Sequence, residues 1–189
     1  MILAGLDVAT VTGFAILKGD SYVTAGAFHW QGKTSGEVFR HCRRIIYKMI
    51  DKYQITHVGV EQPLRTDIDL PGRALEDGST GPTTRPPMKT FQRIYGLCAV
   101  VEEVCAAQNV DHRYINQGTW RKAFTGNGHA TKQDSLAYAQ LVDRNITSLD
   151  AAEALGVAWC LRGLLDPRYA VPRGDLFDPQ SQQTERTPF

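Results

Sequence analysis

Apolar positions run almost unbroken at the start of the chain. Ile2, Leu3, Ala4, Leu6 and Val8 lead into Ala9, Thr10 and Gly13, and a second run, Phe14-Ala15-Ile16-Leu17, follows. Two β-rich runs across a small-residue turn predict a hairpin. Looser alternation from Ser21 to Phe28 predicts a third strand, broken by Gln31-Gly32-Lys33-Thr34-Ser35-Gly36. From about Glu37 to Tyr53 the residues Val38, Cys42, Ile45, Ile46, Met49 and Ile50 recur at helical spacing. His57-Val58-Gly59-Val60-Glu61 is a short buried type of strand, stopped by Pro63. Ile94, Leu97, Cys98, Val101, Val104 and Cys105 predict a strongly apolar helix over Thr90 to Gln108, and Val110 to Ile115 reads as another strand. Thr131 is placed to N-cap a helix over Lys132 to Val142. A last apolar helix starts near Thr147 or Ser148 and reaches about Leu164. Strands interleaved with helices read as one α/β domain over residues 1–165.

Three segments lack such periodicity. Leu64 to Met88 is rich in Gly, Pro, Thr and charges of both signs, and is longer than most connections. It reads as a surface loop, with Arg65, Arg73, Arg85 and Lys89 available to phosphates. Residues 166–189 read as a flexible C-terminal tail. Asn116 to Lys132 holds Arg121, Lys122, His129 and Lys132 and no acid, with Trp120 and Phe124 interleaved and a turn at Gly126-Asn127-Gly128.

The formal net charge is +1, so any nucleic-acid binding must come from local patches such as that window. A second basic set, Arg40, Arg43, Arg44, Lys48 and Lys52, fills the polar positions of the Glu37–Tyr53 helix. It suits either nucleic acid or a solvated face. Cys42, Cys98, Cys105 and Cys160 form no C-x-x-C pair and read as reduced thiols of a cytoplasmic protein. No charged leader precedes the strand at Ile2, which predicts no secretory signal. No apolar run approaches a membrane span.

Four acids stand in suggestive places. Asp7 closes the first strand, where an unpaired carboxylate is not tolerated, so it must be hydrogen-bonded, ion-paired or bound to a cation. Glu61 repeats that position on a second core strand, and ligands of open α/β sheets gather at carboxyl ends of strands. Asp150 and Glu153 lie one turn apart on one helix face. Compensation of the helix dipole would explain them, yet Ala, Leu and Val surround both. Hard divalent cations prefer oxygen ligands, and a pair of them can clamp the attacking and leaving oxygens of a phosphodiester. That chemistry needs three or four acids converging from separate elements.

Gly5-Leu6-Asp7 with Gly13, Val58-Gly59-Val60-Glu61-Gln62 and Asp150-Ala151-Ala152-Glu153-Ala154-Leu155, in this order, resemble the motifs of RuvC-type Holliday-junction resolvases. The resemblance covers about residues 2 to 164. It implies the ribonuclease H-like fold, a five-stranded mixed sheet flanked by helices. It implies a structure-specific endonuclease dependent on Mg²⁺, for which Mn²⁺ can substitute, with Asp7, Glu61, Asp150 and Glu153 as catalytic metal ligands. Arg121 and Lys132 fall where the family carries basic residues important for cleavage, so Lys132 joins the catalytic set. Arg121, Lys122, Lys132, Leu64 and Arg65 are the implied DNA contacts, the partner being four-way or branched DNA bound by a homodimer. Glu153 stands where many members carry Asp, and Leu64 where some carry an aromatic wedge. With the long loop, these departures suggest a divergent branch, a phage or mobile-element enzyme with broader branched-DNA specificity. Two other readings compete: a ribonuclease H-like nuclease acting on structured RNA, and the phosphate-binding hairpin of sugar kinases and actin-like ATPases. The latter needs two such domains, and no second copy is visible.

Overall fold

The computed structural model describes residues 1–63 and 87–170. Leu64, Arg65 and the rest of the loop before Pro87, and the tail beyond Ala170, lie outside the described residues. In chain order the elements are β1 (Ile2–Asp7), β2 (Val11–Lys18), β3 (Ser21–His29), α1 (Ser35–Tyr53), β4 (His57–Glu61) and α2 (Met88–Ala107). There follow β5 (Asp111–Ile115), α3 (Gln117–Thr125), α4 (Lys132–Val142), α5 (Leu149–Leu165) and a 3₁₀ turn (Pro167–Tyr169). One mixed sheet of five strands results, in the order β3-β2-β1-β4-β5. β1, β2 and β3 pair antiparallel, whereas β1, β4 and β5 run parallel.

Strand side chains alternate between faces, and both faces are covered. Ala4, Leu6, Val58 and Val60 join α1 and α2 in one core. Leu3, Ala15 and Leu17 join α3, α4 and α5 in the other. The same alternation assigns Asp7 to the α5 face, with Leu3 and Gly5.

Two glycines decide how closely α5 approaches. A Cβ on Gly5 would lie 2.2 Å from the Ala154 carbonyl oxygen and 2.4 Å from the Ala158 nitrogen. A Cβ on Gly13 would lie 1.9 Å from the Asp150 carbonyl oxygen. Gly13 is the register partner of Asp7. The helix backbone therefore lies directly on the strands, with its first turn beside the end of β1.

Local signals explain most boundaries. α1 starts at Ser35 because Thr34 and Glu37 form a reciprocal capping box. It thereby takes in Ser35 and Gly36, which the sequence pattern assigned to the break. α3 was not foreseen. Asn116 caps it through its side chain, and Gly126 ends it in the left-handed region at φ 80°. Trp120 and Phe124 are buried on it, so neither is free to stack on a base. α4 is capped by Thr131 and spans Lys132–Val142 as the pattern predicts.

The first residues of the expected tail pack onto the domain. Arg162 is buried, with its guanidinium carbon 4.0 Å from the Trp159 ring and 4.7 Å from the Tyr169 ring. The Tyr169 hydroxyl donates to Asp20 in the β2–β3 turn. Among the described residues no helix is long and apolar enough to cross a membrane.

Candidate active site

The acids meet where β1 ends and α5 begins. Ser148 caps α5 by accepting the Ala151 N–H at 3.3 Å, which sets the phase of the first turns. Asp150 and Glu153 then face the end of β1. One oxygen from each of Asp7, Asp150 and Glu153 lies within 4.8 Å of the others. Glu153 is 1% exposed and Asp7 9%, so these charges are largely withdrawn from water.

Two cations answer them. Arg121 on α3 donates from Nη2 to Glu153 Oε1 at 2.7 Å. Lys132, the first residue of α4, pairs with Glu153 Oε2 and lies 3.6 Å from Asp150. Lys132 keeps half of its side chain exposed, whereas Arg121 keeps 14%. Lys132 therefore stands at the open side of the cluster and Arg121 at its back. The Arg121 Nε is buried with no hydrogen-bond partner among the described residues. Lys122 is exposed one residue on.

Glu61 lies beside the cluster but outside the group of three. Gln117 Nε2 donates to its Oε1 at 3.0 Å, and Trp120 Nε1 donates to its Oε2 at 3.2 Å. Both oxygens are thus engaged by α3, and the structure brings three rather than four of the expected acids to one point. Gln117 and Trp120 are the site residues that sequence reasoning missed, since nothing in their local pattern names a partner 56 or 59 residues away. The expected contacts Leu64 and Arg65 lie outside the described residues.

The electrostatics follow from crowding. Burial, then Glu61, Glu153 and Asp150, push Asp7 up to about 8, against the pull of Lys132. Burial and Glu153 push Glu61 up to about 7, opposed by Arg121, the Gln117 hydrogen bond and Lys132. Burial works against the Lys132 ammonium, but Glu153, Asp7 and Asp150 together outweigh it and hold its pKa above the usual lysine value. Four carboxylates face two cations, so the site is short of positive charge. An all-oxygen donor set with that deficit fits a hard divalent cation.

The fold is that of the ribonuclease H-like class. The chain is similar to the RuvC structure from Thermus thermophilus, with a TM-score of 0.63 and 15% identity, over 89% of this chain and 96% of that one. It is similar also to T. thermophilus RuvC in complex with a Holliday junction substrate, with a TM-score of 0.65 and 11% identity, over 89% and 95%. The yeast mitochondrial Holliday junction resolvase Ydc2 aligns with a TM-score of 0.56 and 8% identity, over 88% and 82%. No protein-family model matches the sequence, and no curated protein matches it. At such identities the shared property is the fold.

Proposed function

We propose that the chain is a metal-dependent endonuclease that resolves Holliday junctions and other branched DNA by paired nicks. The observation that carries this is the convergence of Asp7, Asp150 and Glu153, with Lys132 at the open side. The fold adds support, since it is shared with a RuvC bound to a Holliday junction. In this reading Asp7, Asp150 and Glu153 hold Mg²⁺ or Mn²⁺, and Glu61 adds charge from the side. Divalent ions bound there would supply a nucleophilic water and stabilise charge on the phosphodiester oxygens. Arg121 fixes Glu153 from behind. Lys132 reaches the scissile phosphate from the exposed side, while Lys122 contacts the backbone, and Leu64 and Arg65 are assigned to DNA by sequence alone.

Paired nicks in a junction of near two-fold symmetry require two related sites, so the active species is a homodimer. Met88 and Tyr95 expose apolar surface on α2 and nominate that helix for the interface.

The test is cleavage of a four-way junction beside a linear duplex and an RNA hairpin, with Mg²⁺ and with chelator. Symmetric nicks in the junction, lost with chelator and in Asp7→Asn, are expected. An intact junction, or cutting confined to the RNA hairpin, refutes the reading and in the second case replaces it with an RNA nuclease.

A further inference from the structure

A basic concavity lies on the other face of the sheet. Its first part, about 830 Å³, is bounded by Gly32, Lys33, Glu37, Arg40, His41 and Arg44. An adjoining part, about 360 Å³, shares Arg40 and Arg44 and adds Arg43, Lys48 and Glu103. Five cations thus face two acids, in a chain whose net charge is only +1.

Both acids are committed. The Glu37 carboxylate accepts the Lys33 and Thr34 N–H groups at 2.7 and 3.0 Å as part of the α1 cap. Glu103 pairs with Arg43 at 2.8 Å. Arg40, Arg44 and Lys48 form no ion pair among the described residues, and all three are exposed. They stand four residues apart, on one ridge of α1. Like charges at that spacing destabilise a helix, a cost that the attraction between Arg40 and Glu37 one turn back offsets only at the first position of the row. The ridge spans about 12 Å at 1.5 Å per residue, close to the axial rise of about three successive nucleotides at 3.4 Å each. His41 adds a neutral donor. Its Nδ1 accepts the Gln31 N–H at 3.0 Å, which leaves the proton on Nε2.

The groove is tied to the acidic end of the sheet. β3 runs parallel to β1, since each is antiparallel to β2, so α1 begins at the end where Asp7 sits. Trp30, just past β3, donates from Nε1 to the Ala9 carbonyl at 3.0 Å, in the turn that follows Asp7. A duplex draped over that end can lie against the acids on one side and the mouth of the groove on the other.

We propose that the Arg40–Arg44–Lys48 ridge of α1, with Lys33, is a second DNA site that holds the phosphate backbone of a duplex arm while the acids act at the branch. The proposal rests on the branched-DNA reading above. It assigns α1 to arm binding and leaves the chemistry untouched.

The test compares the wild-type chain with a triple variant, Arg40→Gln, Arg44→Gln and Lys48→Gln, and with Arg40→Lys, Arg44→Lys, which keeps the charge. Affinity for the junction and for an RNA hairpin is measured against salt, with hydroxyl-radical footprints on the junction arms. Loss of three phosphate contacts should flatten the log–log slope by about 2 to 3. Protection along one arm should vanish, and the cleavage rate at saturating protein should stay unchanged. The Lys variant should retain the wild-type slope and footprint. An unchanged slope or footprint in the Gln variant, while the wild type binds and cuts the junction, overturns the groove alone. Failure of the wild type to bind any DNA overturns the groove and the branched-DNA reading together. A slope change confined to an RNA hairpin would assign the ridge to RNA and overturn the proposal.

Discussion

Replacing Asp7 by Asn should stabilise the metal-free protein, and more so as pH rises. In the fold Asp7 sits up at about 8, against 3.8 for an ordinary Asp, first because it is buried and then because Glu61, Glu153 and Asp150 repel its charge. Between those two values the folded chain keeps a proton that the unfolded chain has released. Folding takes up protons there, so stability falls as pH rises through the window and levels off above about 8. Each pKa unit is worth about 1.36 kcal/mol. The penalty grows from roughly 1.5 kcal/mol at pH 5 to on the order of 5 kcal/mol at pH 8.5, taking the linkage relation for a rigid site. Asn fills nearly the same volume and carries none of this.

Allowing half of the rigid-site difference, the advantage of Asp7→Asn over wild type should widen by about 2 kcal/mol between pH 5 and pH 8.5. For a chain of this size that is about 4–8 °C in melting temperature. Thermal melts in chelator at both pH values measure it. Added Mg²⁺ should then close most of that gap at pH 8.5. At a hundred times its Kd it should stabilise the wild type by about 2.7 kcal/mol and the variant far less. If Asp7→Asn melts below wild type at pH 8.5 in chelator, or the gap does not change with pH, Asp7 is not held among repelling acids and the site geometry is wrong.

Other residues give sharper single readouts. Lys132→Ala should slow single-turnover cleavage more than it weakens junction binding, because charge developing on the phosphate loses its exposed partner; equal losses would make Lys132 a docking contact. Gln117→Leu removes the donor that holds Glu61 down, so the Glu61 carboxyl should titrate higher than about 7 by carbon NMR, and an unmoved titration contradicts the hydrogen bond. Gly5→Ala drives a methyl into the α5 backbone and should cost about 3 kcal/mol, seen as a lower denaturation midpoint; a neutral effect would mean that α5 lies further from β1. Sedimentation at micromolar concentration should show a dimer, and a monomer with and without junction DNA argues against paired sites.

Much of the fold could be read because its signals are local. Apolar runs marked β1, β2 and β4, and Thr131 with the following periodicity marked α4. The missing element, α3, is nine residues long and carries Gly118, Thr119 and Thr125, so its apolar stripe reduces to Trp120, Ala123 and Phe124. Its real signal was at the ends, an Asn that caps and a Gly that terminates. The consequence for the site was larger than the gap suggests. With the helix unread, Trp120 stood only as an aromatic interleaved among basic residues, and Arg121 as an implied DNA contact. Folded, Trp120 lies against Gly156 of α5 and donates to Glu61, and Arg121 is turned onto Glu153.

That difference separates two kinds of charge in the same basic window. Arg121 is nearly enclosed and its Nη2 is held by a buried acid, so moving it to a phosphate would leave Glu153 short of one of its two cations. Lys132 touches the same acid from the exposed side and has a flexible stem, so it can exchange Glu153 for an incoming phosphate once other positive charge reaches the acids. Sequence places both in one list of basic residues; burial sorts them. On the proposed reading, the grip on DNA depends on exposed cations that carry no ion pair. Among the described residues these include Lys122 in that window and the ridge of α1, whose charges are legible in the sequence and whose relation to the acids emerges from the Trp30–Ala9 hydrogen bond and the course of β3.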